Sequence, residues 1–210
     1  MVKDRWLTTF QARNGVPLRV RHLEYDDAPY LVDLFEHMGP DSRYRRFLQS
    51  LDNPSPARVW QEAERIAQAA RPYNAGLIAF ADLPGEPNAP VGVARYMQIE
   101  PGTAEAAMSV RDDMQGQGVG TFLFKMLVEE ARKNGVRKLV GTVQNSNKAI
   151  WIVFDRIPYP LTRRLTGAES EVEIDLTKPD RFQWELCHSE SPKPCHSEPP
   201  KPCHSESPKG

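Results

Sequence analysis

The sequence predicts a mixed α/β domain, in which helices flank a single sheet. Hydrophobic residues make up 40% of the 210-residue chain and charged residues 26%, a balance that suits one compact domain. Some segments carry apolar residues at helical spacing, and others show the alternation or short apolar runs of strands. Because the two kinds of segment are interspersed along the chain, the strands and helices are expected to share one core.

The first half predicts one strand and then three helices. Residues 18–23 alternate apolar and polar side chains, which favours a half-buried strand. Asp26 or Asp27 can cap the next helix, and Gly39-Pro40 ends it. The first helix is expected to run from this cap through Leu31, Leu34 and Phe35 to Met38, and the other two are expected at residues 42–48 and 56–70.

The second half contains most of the predicted sheet. In residues 119–133 apolar side chains recur at helical spacing, and Asn134-Gly135 marks the end of that helix. A second helix, at residues 147–156, ends before Pro158. The predicted strands are residues 76–81, 91–99, 104–110, 138–143, 161–165 and 171–176.

Several classes of partner are excluded by composition. The longest apolar run, residues 149–154, is far too short to cross a bilayer, and the first residues lack the apolar stretch of a secretory signal. Lys and Arg number 27 against 28 Asp and Glu, so bulk charge gives no reason to bind nucleic acid or a membrane. We therefore expect neither partner.

The C-terminal 24 residues are three copies of one octapeptide that begins Cys-His. Residues 187–210 contain no aliphatic or aromatic side chain, so a disordered tail is expected after a linker at 179–186. The folded domain is placed at 17–178, after an N-terminal extension at 1–16. It holds no cysteine, which indicates a reducing, cytoplasmic compartment. Cys-His pairs could bind zinc, but this spacing is not that of a zinc finger, and no metal site is expected.

A glycine-rich loop lies between a predicted strand and a predicted helix. It comprises Gln115, Gly116, Gln117, Gly118, Val119 and Gly120. Glycines at a helix start let backbone N–H groups approach an anion, which the helix dipole also favours. The loop matches neither the nucleotide-binding P-loop nor the dinucleotide fingerprint. It is either a phosphate cradle or a turn that only lets strand and helix pack.

The residues around this loop resemble the acetyl-CoA-binding segment of the GNAT superfamily of N-acetyltransferases. A strand ending at Val110 leads into the loop, Thr121-Phe122 continues the helix, and Asn147 opens the next helix. Residues 41–47 are similar to a stretch of the branch that contains bacterial protein lysine acetyltransferases. The resemblance covers about residues 17–176. It implies a mostly antiparallel GNAT-type sheet, in a monomer or homodimer.

The same resemblance implies acetyl-CoA as cosubstrate and assigns its binding residues. The pyrophosphate would lie on the loop amides, and the pantetheine arm along the strand that ends at Val110, whose amide region would polarise the acetyl carbonyl. The implied set is Met108, Ser109, Val110, Gln115, Gly116, Gln117, Gly118, Val119, Gly120, Thr121 and Asn147.

The implied proton transfers involve one glutamate and one departure from the family pattern. In the lysine-acetyltransferase branch a glutamate on the strand before the loop is the general base, and Glu105 matches it. Strand alternation puts Glu105, Ala107 and Ser109 on one face; the alternative is a solvated strand glutamate. Phe154 stands where many members carry a tyrosine acid, so the thiolate leaves unprotonated, takes a proton from water, or uses Tyr159.

Two functions therefore follow from the resemblance. The first is N-acetyltransfer from acetyl-CoA to an amine acceptor, a protein lysine or a small molecule, by direct attack in a ternary complex. The alternative is a non-catalytic module that binds acetyl-CoA as a sensor. Arg43, Arg45 and Arg46 are interpreted as a solvated helix face, although they could also guide an acidic substrate.

Overall fold

The computed structural model describes residues 6–51, 53–68 and 74–178. The predicted linker and octapeptide tail lie outside the described residues. Thirteen strands and helices are found in the described part: β1 (Thr8–Gln11), β2 (Pro17–His22), α1 (Ala28–Glu36), α2 (Pro40–Phe47), α3 (Pro56–Ala67), β3 (Asn74–Leu83), β4 (Glu86–Glu100), β5 (Thr103–Val110), α4 (Val119–Lys133), β6 (Lys138–Gln144), α5 (Lys148–Phe154), β7 (Leu161–Thr166) and β8 (Glu169–Asp175). The predicted mixed α/β class is confirmed.

The eight strands form one sheet in the order β1-β2-β3-β4-β5-β6-β8-β7. Every neighbouring pair is antiparallel except β5 and β6, which run parallel. The expected mostly antiparallel sheet is therefore also confirmed. The parallel pair lies in the middle of the sheet, where β5 leads into the glycine-rich loop.

Helices cover both faces of the sheet. On one face α4 buries Leu123, Leu127 and Ala131, none of which is measurably exposed. On the other face α1 and α3 bury Leu34 and Ala63 in a cluster with residues of β3 and β4. This apolar burial is the main stabilising contribution to the sheet, and it fixes the ends of β4 and β5 between the two helical layers. No helix of the described part is long and apolar enough to cross a membrane.

Strand β1 is absent from the sequence prediction and lies inside the segment interpreted there as an N-terminal extension. It pairs antiparallel with β2, from Thr8–Val20 to Gln11–Pro17. The Phe10 ring stacks on Phe122 of α4 with centroids 4.3 Å apart. Residues 8–11 are therefore part of the sheet and touch the helix that follows the loop.

The start of α1 also differs in detail from the prediction. Asp27 occupies the N-cap position but makes no side-chain capping hydrogen bond. Its carboxylate instead pairs with the buried guanidinium of Arg21, at 2.7 and 2.8 Å, and accepts the Glu24 N–H at 2.7 Å. The aspartate thus joins β2 to α1 and neutralises a buried cation.

Candidate functional site

A gap opens in the sheet where β5 and β6 separate. The two strands pair over only three positions, Thr103–Lys138, Ala104–Leu139 and Glu105–Val140. Beyond them β5 continues to Val110 with β4 as its neighbour. The other edge of β5 after Glu105 is therefore not covered by a strand in the described residues. An extended ligand can pair with main chain that is exposed in this way.

The glycine-rich loop continues from the open end of β5. Gly116 has φ +73° and Gly118 has φ +89°, a left-handed region that glycine adopts without a steric penalty. Gly118 is the N-cap residue of α4 and no side chain caps that helix. The first N–H groups of α4 have no partner within the helix, so they can face an anion. The loop thus has the geometry of a phosphate cradle.

Gly120 has a different role from the other two loop glycines. It lies inside the first turn of α4, where a Cβ atom would stand 3.2 Å from Met108 Cε and 3.6 Å from Val110 Cγ2. The missing side chain lets the helix approach β5 closely. The two interpretations of the loop therefore apply to different residues, since Gly116 and Gly118 shape the turn and Gly120 serves packing.

A groove of about 230 Å³ runs along the loop, and we call it the glycine-loop groove. Asn147, the N-cap of α5, reaches it from the far side, and its Oδ1 accepts the Ile150 N–H at 3.3 Å. Gln117 is not among the lining residues. The implied cofactor residues that do line it are Met108, Ser109, Val110, Gln115, Gly116, Gly118, Val119, Gly120, Thr121 and Asn147.

The side chain of Gln115 is held by the protein itself. Its Nε2 donates to Ser42 Oγ at 3.1 Å, to the Val110 carbonyl at 3.2 Å and to Asp112 Oδ1 at 2.9 Å. These bonds connect α2, β5 and the short turn Asp112–Met114. Gln115 therefore fixes the position of the loop relative to α2.

Sequence reasoning missed two cations of the groove, Arg13 and Arg156, and did not assign Arg45 to it. Arg13 Nη1 donates to the Gly116 carbonyl at 3.1 Å, and the Arg13 backbone N–H donates to the Gln117 carbonyl, also at 3.1 Å. Arg45 and Arg156 line the same groove. Nothing in the local pattern marks these arginines, because they come from three separate elements that only the fold brings together. They supply the positive charge that a phosphate ligand needs.

Two further cavities adjoin the groove. The strand-gap cavity, about 370 Å³, lies between β5 and β6 and is lined by Glu105, Ala107 and Arg95. The helical cavity, about 420 Å³, lies between α1–α3 and the β4–β5 face that carries Val93, Arg95, Ala107 and Ser109. Arg46 lines the groove and both cavities. The predicted base and the predicted cofactor residues thus lie around one junction.

Arg43 and Arg46 of α2 are not part of a solvated helix face. The Arg43 guanidinium donates to the Phe35 carbonyl at 3.2 Å and lies 4.2 Å from the centre of the Phe35 ring. Arg46 is only partly exposed. Burial, together with the nearby charge of Arg95, lowers the pKa of Arg46 to about 10. Burial and the charge of Arg65 lower the pKa of Arg95. The solvated-face interpretation is therefore wrong for Arg43 and Arg46.

Phe154 has no proton to donate to the thiolate, and Tyr159, the alternative donor, lies away from the groove. Phe154 packs against Phe124 and Trp151, with centroids 5.7 Å away in both cases. The Tyr159 hydroxyl donates to Glu129 Oε1 at 3.1 Å, and burial with the Glu129 charge raises the pKa of Tyr159 to about 12. Tyr159 lines neither the groove nor the two cavities.

Comparison with known proteins gives a consistent result. The model of the acetyltransferase (GNAT) family matches residues 44–156. Acetyltransferase PA5475 of Pseudomonas aeruginosa is 28% identical over 148 residues, which cover 70% of this chain and 76% of that protein. The GNAT domain of S. lividans PAT is 26% identical with a TM-score of 0.68, covering 83% of this chain and 99% of that one.

A more distant structure carries the cosubstrate. YncA from Salmonella typhimurium, solved with its cofactor acetyl-CoA, has a TM-score of 0.54 and 16% identity over 85% of this chain and 99% of its own. At that identity the likeness concerns the fold alone.

Proposed function

The chain belongs to the acetyltransferase (GNAT) family, and we propose that it moves the acetyl group of acetyl-CoA directly to a primary amine held in the same complex. The observation that carries this proposal is the gap between β5 and β6, which runs into the glycine-loop groove and has Glu105 at its origin. The cosubstrate, the acceptor and the base would therefore share one continuous depression.

The residues of the groove fit acetyl-CoA. The uncapped first turn of α4 and the cations Arg13, Arg45 and Arg156 suit its phosphates. The uncovered edge of β5 from Ala106 to Val110 suits a pantetheine arm, which carries amides of its own. When bound, acetyl-CoA supplies an activated thioester.

The chain supplies polarisation and alignment for the transfer. Backbone N–H groups near Val110, at the end of β5, would donate to the acetyl oxygen as negative charge develops on it. The amine nitrogen forms a bond to the carbonyl carbon, the carbon–sulfur bond breaks, and the sulfur leaves as the CoA thiolate. Holding both reactants in one depression removes most of the entropic barrier to this step.

Glu105 is proposed to take the proton that the amine must lose. A lysine-like ammonium has a pKa of about 10.4 and is mostly protonated at neutral pH, so attack requires a base. The Glu105 carboxylate lines the strand-gap cavity and is exposed, so water can relay the proton to it. The proton ends on solvent or on the departing thiolate.

Direct transfer is favoured over a covalent enzyme intermediate. The three cysteines of the chain are Cys187, Cys195 and Cys203, all within the octapeptide repeats. The described residues contain no cysteine, so the described lining of the groove and cavities provides no thiol nucleophile. Both substrates must then be bound together before the reaction.

Thiol release tests this function. The full chain is incubated with acetyl-CoA and a panel of primary amines that includes small amines, amino acids and lysine peptides, and free CoA is measured over time. We expect release that depends on the amine and formation of the N-acetyl product by mass spectrometry. Tight acetyl-CoA binding with no amine-dependent release would instead support the sensor alternative.

A further inference from the structure

Two arginines at the junction of the cavities have no acidic partner in the described part of the chain. No hydrogen bond or ion pair joins Arg46 or Arg95 to a carboxylate there, and the buried Nε of Arg95 has no hydrogen-bond partner at all. The Arg46 guanidinium lies only over the Phe47 ring, 4.8 Å from its centre. Both side chains are partly buried, and a partly buried cation without a paired carboxylate is a place where an anion would be stabilised.

The nearby carboxylates offset only part of this charge: Glu62 and Glu105 act to raise the pKa of both arginines, but burial and the neighbouring cations outweigh them. Glu62 is engaged by Arg65, with Nε–Oε2 at 2.8 Å and Nη2–Oε1 at 2.6 Å. That contact lowers the pKa of Glu62, which therefore stays ionised and committed to Arg65. Glu105 is the remaining carboxylate of the strand-gap cavity, and it is exposed. The junction thus keeps an excess of positive charge beside the proposed base.

The pairing of β4 with β5 fixes how far this charge lies from Glu105. Arg95 pairs with Ala107 and Met97 pairs with Glu105, so Arg95 and Glu105 are diagonal neighbours on one face of the sheet. Diagonal neighbours in an antiparallel pair are about 7–8 Å apart at their backbones. A single acceptor molecule could therefore place an anionic group on Arg95 and its amine near Glu105, with only a few bonds between the two groups.

The helical cavity combines a large apolar lining with the polar side chains of Arg58, Gln61, Glu62 and Arg65. It has about 420 Å³ of space, which suits a small molecule rather than a folded protein segment. The loop between α2 and α3 contributes Gln49, Leu51 and Pro54 to its wall. Apolar side chains of α1, α2, α3 and β4 and of the turn after α1 line it: Leu31, Leu34, Phe35, Met38, Phe47, Val59, Ile66 and Val93.

We propose that the acceptor is a small amine carrying a carboxylate next to the amine, of the class of α-amino acids with an apolar side chain. Arg46 and Arg95 bind the carboxylate, and the helical cavity takes the apolar side chain. The proposal rests on the acetyltransfer proposed above and names its acceptor. A lysine side chain on a protein brings no carboxylate near its amine and would leave both guanidinium groups unpaired.

Matched pairs of acceptors test the carboxylate directly. L-leucine is compared with 3-methylbutylamine, and L-phenylalanine with 2-phenylethylamine, since each pair differs only by the carboxylate. We expect kcat/KM from thiol release to be at least tenfold higher for the amino acid of each pair, and higher than for a lysine peptide. Equal or better rates with the decarboxylated amines or with the peptide would overturn the proposal.

Variants assign the effect to the arginines. Arg95→Met should lower kcat/KM for L-leucine at least tenfold and leave 3-methylbutylamine within about twofold, while Arg95→Lys should retain part of the preference. Arg132→Met is the matched control, because Arg132 lies on α4 and pairs with Glu129 at 3.2 Å. An equal loss for both acceptors in Arg95→Met, with acetyl-CoA binding and melting temperature unchanged, would contradict carboxylate binding.

A binding measurement separates this proposal from the proposed function. N-acetyl-L-leucine and N-(3-methylbutyl)acetamide are titrated by calorimetry into the full chain saturated with CoA. We expect binding of the acid at least tenfold tighter than that of the neutral amide, with the difference lost in Arg46→Met. Equal affinities would overturn the carboxylate site even if acetyltransfer is observed. Absence of amine-dependent thiol release alone would instead contradict the proposed function.

Discussion

Arg13 donates from Nη1 to the carbonyl oxygen of Gly116 at 3.1 Å, although 103 positions separate the two residues in the sequence. The contact ties the turn between β1 and β2 to the glycine-rich loop. It is reinforced by the bond from the Arg13 backbone N–H to the Gln117 carbonyl. The first hairpin of the chain therefore helps to hold the loop in the shape that a phosphate ligand requires.

Replacing Arg13 should weaken acetyl-CoA binding. Arg13→Ala removes a charge from the groove and a charge-assisted hydrogen bond of about 1.5–3 kcal/mol from the loop. We expect the Kd measured by calorimetry to rise about tenfold. Arg19→Ala is the control, since Arg19 is on the same hairpin but pairs with Asp82 at 2.9 Å, away from the groove. Equal effects of the two changes would show that the hairpin acts only on general stability.

The contrast between α4 and β1 shows what the sequence could predict. Helix α4 spans residues 119–133 in both the prediction and the structure, because its apolar spacing is unambiguous and Asn134-Gly135 ends it. Strand β1 contains one large apolar residue, Phe10, and its formation depends on pairing with β2 and stacking on Phe122. Such non-local contacts leave little signal in a four-residue segment.

The residues of the candidate site also fall into two groups, those that the sequence pattern indicates and those that only the tertiary structure reveals. The loop glycines and Glu105 were accessible to sequence reasoning, because they lie in contiguous segments with a recognisable order. Strand alternation also placed Ala107 and Ser109 on the face of Glu105, and they line the helical cavity while Met108 contacts α4 near Gly120. Arg46 and Arg95 come from different elements, and only tertiary packing makes them neighbours without a counter-ion.

A charge placed at Gly118 should abolish acetyl-CoA binding. A Cβ at Gly118 would meet only Phe10 Cζ at 3.5 Å, and the backbone strain that its φ of +89° imposes on a side chain is common to the two variants compared below. Gly118→Asp places a carboxylate at the uncapped start of α4, where the phosphates are expected. Gly118→Asn has the same shape without the charge, and both residues tolerate the left-handed region. Calorimetry should show loss of binding in the first variant and a much smaller effect in the second.

Asn147 should matter for both the cosubstrate and the helix it caps. Asn147→Ala removes the Oδ1 that accepts the Ile150 N–H, which costs about 1 kcal/mol of helix stability. Asn147→Ser retains a cap but not the amide that reaches the groove. If Asn147 contacts the cosubstrate, both variants will bind acetyl-CoA more weakly, and only Asn147→Ala will also have a lower melting temperature. If Asn147→Ser binds acetyl-CoA with native affinity, Asn147 acts only as a helix cap.

Phe154→Tyr should be tolerated without a large gain in turnover. Phe154 is buried against Phe124 and Trp151, and a thiolate of pKa about 8.5 can leave without a proton donor. We expect kcat within about threefold of the native value for the best acceptor. A many-fold increase would show that thiolate protonation limits turnover. Tyr159→Phe serves as the companion test, since Tyr159 is bonded to Glu129 and should not affect kcat.

Removal of residues 187–210 should leave binding and stability unchanged. The repeats contain Cys, His, Ser, Pro, charged residues and one Gly but no Leu, Ile, Val, Met, Phe, Tyr or Trp that could build an apolar core. The truncated chain should match the full chain in melting temperature and in acetyl-CoA affinity. Stoichiometric zinc in the full chain, measured by metal analysis after purification without chelators, would contradict this prediction and show that the Cys-His pairs bind metal.

Glu105→Gln should separate catalysis from cosubstrate binding. The change keeps the shape of the side chain at the point where β5 and β6 part but removes the group that takes the ammonium proton. We expect unchanged acetyl-CoA affinity and a loss in kcat of about 10²-fold or more, which is the usual contribution of one general base.

The pH–rate profile distinguishes a base from a residue that only positions the acceptor. If Glu105 accepts the proton through water, the acidic limb of kcat/KM in the native enzyme will be absent from Glu105→Gln. Glu100→Gln is the control, because Glu100 is an exposed glutamate at the end of β4 and lines neither the groove nor the two cavities at the junction. Native turnover in Glu105→Gln at neutral pH would assign the proton directly to bulk water, since no other carboxylate of the described strand-gap cavity is free of a partner.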